Sequence, residues 1–104
     1  MNALVTNPLV SIVIPVYNRE LYIEDAIRSA ISQTYQNIEI IIVDNCSTDS
    51  TWDILNEWEK KDNRIKIFQN DSNIGPVLNW NECFRHASGE YINCLLYTSP
   101  SPRD

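Results

Sequence analysis

Two apolar runs, each ending in a polar turn, constrain this chain more than any other feature: Ser11-Ile-Val-Ile-Pro-Val-Tyr-Asn18, and Ile38-Glu-Ile-Ile-Ile-Val-Asp-Asn45 followed by Cys-Ser-Thr-Asp-Ser. Nearly uninterrupted Ile and Val over seven or eight residues suits a strand covered on both faces, as in a parallel sheet. In open α/β sheets, ligands bind outside the carboxyl ends of the strands. The two strand ends would therefore bring Pro15, Tyr17, Asp44 and Asn45 to one crevice. A tyrosine ring can stack on a base, and a carboxylate and an amide can hydrogen-bond base or ribose groups. Asp44 and Asn45 could equally cap the turn that follows them, with Tyr17 packed on the sheet edge.

The intervening segments alternate with these strands. Ile23, Ala26, Ile27, Ala30 and Ile31 recur at helical spacing, with Asn18 as expected N-cap and Glu20 in the first turn. Gln33 to Asn37 breaks the pattern before the second strand. Asp49 or Ser50 can cap a second helix carrying Trp52, Leu55 and Trp58. Ile65-Lys-Ile-Phe68 alternates as a third strand would, and Gln69 to Gly75 reads as loop. Pro76 suits the first position of a third helix with Val77, Trp80, Phe84 and Ala87 on one face. Gly89 is expected at its C-terminus, and Tyr91 to Leu96 forms strand four. The order β-α-β-α-β-α-β implies an α/β fold, a Rossmann-like and mostly parallel sheet with helices on both sides.

Composition narrows the function. The 104 residues allow one modest core. A net charge of −6 with eight scattered Lys and Arg argues against a nucleic-acid surface. No run reaches the roughly 20 apolar residues of a membrane span, and the start lacks the pattern of a secretory signal, so a cytoplasmic protein is expected. Cys46, Cys83 and Cys94 are widely spaced and read as reduced thiols; with His86 alone among histidines, no zinc site is expected. His86 is expected to meet the carbonyls at its helix end. The two glycines, Gly75 and Gly89, form neither a dinucleotide fingerprint nor a P-loop.

Five strings in order carry a resemblance: Ser-Ile-Val-Ile-Pro-Val-Tyr-Asn, Ser32-Gln-Thr-Tyr35, Ile-Ile-Val-Asp-Asn-Cys-Ser-Thr-Asp, Asn73-Ile-Gly75 and Ala87-Ser-Gly-Glu-Tyr-Ile92. Together, over about residues 9–95, the chain resembles the N-terminal half of family 2 glycosyltransferases. The resemblance implies a partial GT-A fold that binds a nucleotide-diphosphate sugar. In the parent enzyme the sugar passes to an acceptor hydroxyl, with inversion, in cell-surface polysaccharide or glycan synthesis. It places Pro15 and Tyr17 at the base and ribose site and matches Asp44 and Asn45 to the acidic pair ending strand two, with Asn in the second place. Asp49 matches a structural aspartate. Trp80-Asn81 stands where Arg-Asn is often found.

The resemblance also implies a parent that uses Mg²⁺ or Mn²⁺ held by paired acids after strand four. Thr98 and Ser99 stand there, so no metal site, catalytic residue or bound cofactor is expected in this chain. Residues 1–8 read as a lead, and 96–104 as a tail outside the family, similar to translated adapter read-through on a truncated domain. Such a fragment is expected to be inactive, to bind a nucleotide sugar weakly or not at all, and to be able to self-associate through an unfinished sheet edge. The alternative is a non-catalytic α/β binding or signalling module with Asp44 as phosphoryl acceptor.

Overall fold

A computed structural model describes residues 7–95. Seven elements alternate: β1 (Val10–Val16), α1 (Ile23–Ile31), β2 (Ile38–Asp44), α2 (Thr51–Lys61), β3 (Ile65–Gln69), α3 (Pro76–His86) and β4 (Tyr91–Cys94). All strand pairs are parallel, in the order β3-β2-β1-β4. The order follows from right-handed crossovers that step outward in both directions from β1 and β2. The expected strand four ends at Cys94; Leu96 lies outside the described residues.

Alternation along the strands splits the core in two. Ile12, Ile14 and Val16 join Ile38, Ile40 and Ile42 on one face, where α1 adds Ile23, Ala26, Ile27 and Ala30 and α2 adds Leu55. Val13, Ile41 and Val43 face the other way against Cys83 of α3. Every residue of β2 is buried, as expected for a strand covered on both sides. Burial pushes the Cys83 thiol up to about 12, so it packs as a small apolar group. Trp52 and Trp58 are partly buried against the first cluster, as their spacing predicts.

Several local expectations are corrected. Helix α1 begins at Ile23, with Tyr22 rather than Asn18 as N-cap. Asn18 instead takes a left-handed backbone, φ 50°, and its side-chain oxygen accepts from the Thr48 N–H at 2.8 Å. At α2 it is Asp49 that caps, accepting from the Thr51 N–H at 2.9 Å, while Ser50 makes no side-chain cap bond. The buried positions of α3 are Asn79 and Cys83, and the expected Val77 is 73% exposed. The helix is turned because the Asn79 amide donates to the Val43 carbonyl at 3.2 Å, which seats a polar residue on the sheet.

His86 stacks on Phe68, with ring centroids 3.7 Å apart and planes 6° from parallel, instead of meeting helix carbonyls. Gly89 is no helix cap either; α3 ends at an extended Ala87. A Cβ on Gly89 would lie 2.7 Å from the Leu9 carbonyl oxygen and 2.8 Å from the Ser11 nitrogen, so close approach to β1 requires glycine there.

Below that contact sits a buried polar cluster. The Glu39 carboxylate accepts from Ser11 Oγ, from the Ser88 N–H at 2.6 Å and from Lys66 Nζ at 3.0 Å. Burial would raise its carboxyl, but these hydrogen bonds outweigh it and hold the group down to about 2.

Candidate functional site

The carboxyl ends of β1 and β2 and the first turn of α3 enclose a cleft of about 610 Å³. This size is typical of a small-molecule site. Strand register sets its floor: Pro15 lies beside Val43 and Val16 beside Asp44, so both strands end level. The two turns beyond are laced together. The Asn18 N–H donates to Ser47 Oγ at 2.8 Å, the Arg19 N–H to Thr51 Oγ1 at 2.9 Å, and the Ser50 N–H to Glu20 Oε1 at 2.7 Å.

Pro15, Tyr17 and Asn45 line the cleft, as the sequence places them. Asp44 does not. Its side chain is fully buried and accepts from the Ser47 hydroxyl, the Ser47 N–H at 3.2 Å and Gln69 Nε2 at 3.0 Å. Of the two roles open to it, Asp44 takes the turn cap. Its burial also removes the phosphoryl-acceptor alternative, because neither oxygen reaches solvent.

Asn45 is the hub of the far wall. Its Nδ2 donates to Asn73 Oδ1 at 2.9 Å and to the Gly75 carbonyl at 3.3 Å, and its Oδ1 accepts from Asn70 Nδ2 and the Ile74 N–H, each at 3.0 Å. Both donors and both lone pairs are thereby engaged. Asn70 also donates to Asn79 Oδ1 at 2.8 Å, which ties α3 to the same hub. Four asparagines thus hold loop 70–75 and α3 at a fixed distance from the strand ends.

The rest of the lining was less visible in the sequence. Val16, Arg19, Asn73, Pro76, Val77, Asn79 and Trp80 complete it. Trp80, whose spacing suggests core packing, is half-buried and lines the cleft, in a T-shaped contact with Phe84 whose ring centroids are 5.8 Å apart. Arg19 is the one charged residue of the lining; its Nη1 donates to the Tyr17 and Asn18 carbonyls. The available signal was position: Pro76 begins α3 beside the strand ends, so its first turn had to face them.

Among the described residues no three His, Cys, Asp or Glu side chains converge to hold a metal ion. With Asp44 committed to the turn, the described residues do not fit a divalent cation.

Comparison with known proteins agrees with this architecture. Residues 11–95 match the model of glycosyl transferase family 2. TuaG of Bacillus subtilis, a putative teichuronic acid biosynthesis glycosyltransferase, is 44% identical over 88 residues, 85% of this chain and 35% of TuaG. WfaP of Escherichia coli, a UDP-Glc:α-D-GlcNAc-diphosphoundecaprenol β-1,3-glucosyltransferase, is 48% identical over 87 residues, 84% of this chain and 34% of WfaP. The chain thus spans about a third of the length of these relatives. Among solved structures, the Pyrobaculum calidifontis mannosyltransferase in complex with GDP-Man and Mn²⁺ superposes with a TM-score of 0.77 at 26% identity, covering 85% of this chain and 27% of that one. Staphylococcus aureus TarS 1-349 in complex with UDP-GlcNAc gives 0.76 at 31% identity, over 84% and 26%. With the family model covering most of its length, and the sheet order and strand-end cleft in place, the chain belongs to glycosyl transferase family 2.

Proposed function

We propose that this chain forms the nucleotide-binding part of a cytoplasmic glycosyltransferase that moves a sugar, with inversion, from a nucleotide-diphosphate donor to an acceptor hydroxyl in cell-surface polysaccharide assembly. The observation that carries this is the cleft at the level ends of β1 and β2, lined by Pro15, Tyr17 and Asn45 in a family 2 chain. The relatives support the pathway: TuaG is named for teichuronic acid synthesis and WfaP for transfer to a diphosphoundecaprenol-linked sugar.

The chemistry divides between what this chain holds and what it does not. Tyr17 and Trp80 offer ring faces to a base, and Arg19 places a cation where the donor's negative charge enters. A divalent ion held by residues of a longer parent enzyme would supply neutralisation of the leaving diphosphate. With no convergent acidic set to hold a cation among the described residues, the chain alone is expected to bind the donor weakly, and with no residue assigned to proton transfer it is expected to transfer nothing. The β4 edge, exposed along Tyr91–Cys94, is where a second chain would add if the protein self-associates.

Grafting tests the assignment. Residues 11–95 are exchanged for the matching third of WfaP, whose donor is UDP-Glc. A folded chimera that still transfers glucose from UDP-Glc is the expected result. A folded chimera with no transfer would contradict it.

A further inference from the structure

Strand β4 is the least covered element of the fold. All four of its residues are exposed, Tyr91 by 64% and Ile92 by 44%, and its outer side pairs with no strand among the described residues. The Leu95 N–H donates inward to the Val13 carbonyl at 2.9 Å. Backbone groups of successive strand residues point to opposite sides. Asn93 therefore also faces β1, while the N–H and C=O of Ile92 and Cys94 point outward. These four outward groups are a template for another strand.

The side chains say which strand fits. Register with β1 puts Ile92 and Cys94 on the face that carries α3, level with Ser11 and Val13. Tyr91 and Leu95 lie on the face that carries α1 and α2. In an antiparallel second copy related by a two-fold axis through Asn93, Cys94 lies opposite Ile92 and Ile92 opposite Cys94. Each of these pairs exchanges two hydrogen bonds, so every outward group of both copies is used. Apolar residues meet on the other face too, Tyr91 against Leu95 of the second copy. Glu90, the charge nearest in sequence, lies outside the paired stretch, so no like charges are opposed.

We propose that the β4 edge is an isologous interface between two copies of this chain, paired antiparallel about Asn93 so that the two four-stranded sheets become one. The proposal gives the self-association raised above a register and a symmetry. It is independent of the strand-end cleft, so nucleotide binding can hold or fail without deciding it. Tyr91 to Leu95 alone fall well below the roughly 800 Å² per partner of a stable complex, so the dimer is weak, with a Kd of about 0.1–1 mM. The net charge of −6 on each copy opposes association, and added salt tightens it.

Sedimentation equilibrium of the 104-residue chain, from about 10 μM to about 2 mM, should show a monomer–dimer equilibrium that stops at the dimer, because a two-fold contact closes on itself. Ile92→Pro should abolish it, since proline deletes an outward donor that the β1 ladder does not use. Asn93→Cys in a Cys94→Ser background, treated with oxidised glutathione, should link the two copies by a disulfide at position 93. Two thiols then give one disulfide as glutathione disulfide is reduced to two glutathione thiols. Residues directly opposite in a non-hydrogen-bonded pair have Cα atoms about 4.5 Å apart, within reach of that bond. A chain that stays monomeric at the top of the range, growth past the dimer, dimerisation by Ile92→Pro, or a cross-link absent from position 93 would each overturn the proposal. If Ile92→Pro does not fold, the cross-link still decides.

Discussion

At the scale of single residues, Asn45 shows how one side chain can fix the wall of a cleft. Its four hydrogen bonds join the end of β2 to Asn70, Asn73, Ile74 and Gly75, and it is 3% exposed. Removing the amide would leave the Ile74 N–H without its partner and the Gly75 carbonyl with only its bond from the Asn79 N–H. Part-buried hydrogen bonds of this kind contribute about 0.5–1.5 kcal/mol each. Asn45→Ala should therefore lower the urea midpoint accordingly and raise hydrogen exchange in residues 70–75; unchanged exchange in that loop would contradict the hub. The position of Asn45 at a strand end was legible from the apolar run before it. Its partners were not, because they lie 25 to 30 residues away. Nothing in local spacing encodes a contact over that separation. Asp44 carried the same ambiguity, and only its distances to Ser47 and Gln69 decide for the turn cap.

At the scale of elements, the sheet was readable because burial on both faces forces long Ile and Val runs, and β2 is the clearest case. In helix α3 the spacing misleads for a matching reason. It seats Asn79 and Cys83 on the sheet and leaves Val77 and Leu78 exposed, so hydrophobic spacing pointed to the wrong face. The β4 connection depends on Glu39 in the same hidden way. Its carboxylate gathers Ser11, Lys66 and Ser88, and Gly89 fits only because nothing lies between it and β1. Since Glu39 is held near 2 against an ordinary 4.5, its stabilisation is present above pH 4.5 and is lost as pH falls from there toward 2. The loss amounts to about 3 kcal/mol. Urea unfolding followed from pH 6 to pH 2.5 should steepen across that window, and Glu39→Gln should be less stable at pH 6 and flatter below pH 4.5. An acid dependence identical in both proteins would rule out the linkage.

For the whole molecule, four parallel strands with helices on both faces put a cleft at one end and the Glu39 cluster at the other. Opposite ends of one sheet thus do separate work. One end fixes the path of β4, and the other shapes a cleft lined by Tyr17 and Trp80 beside a wall of mutually bonded asparagines. Carrying the family's sheet without a convergent acidic set among the described residues, the chain should bind donor nucleotide only at roughly millimolar concentration, about −4 kcal/mol. The most direct measurement is chemical-shift mapping of the ¹⁵N-labelled chain with UDP, with and without diamagnetic Mg²⁺. Saturable shifts should cluster at Tyr17, Asn45, Asn73 and Trp80 and leave Glu39 and Ser88 unmoved, with Mg²⁺ leaving the affinity within about threefold. Shifts centred away from the strand-end cleft, or micromolar binding that requires Mg²⁺, would contradict the account.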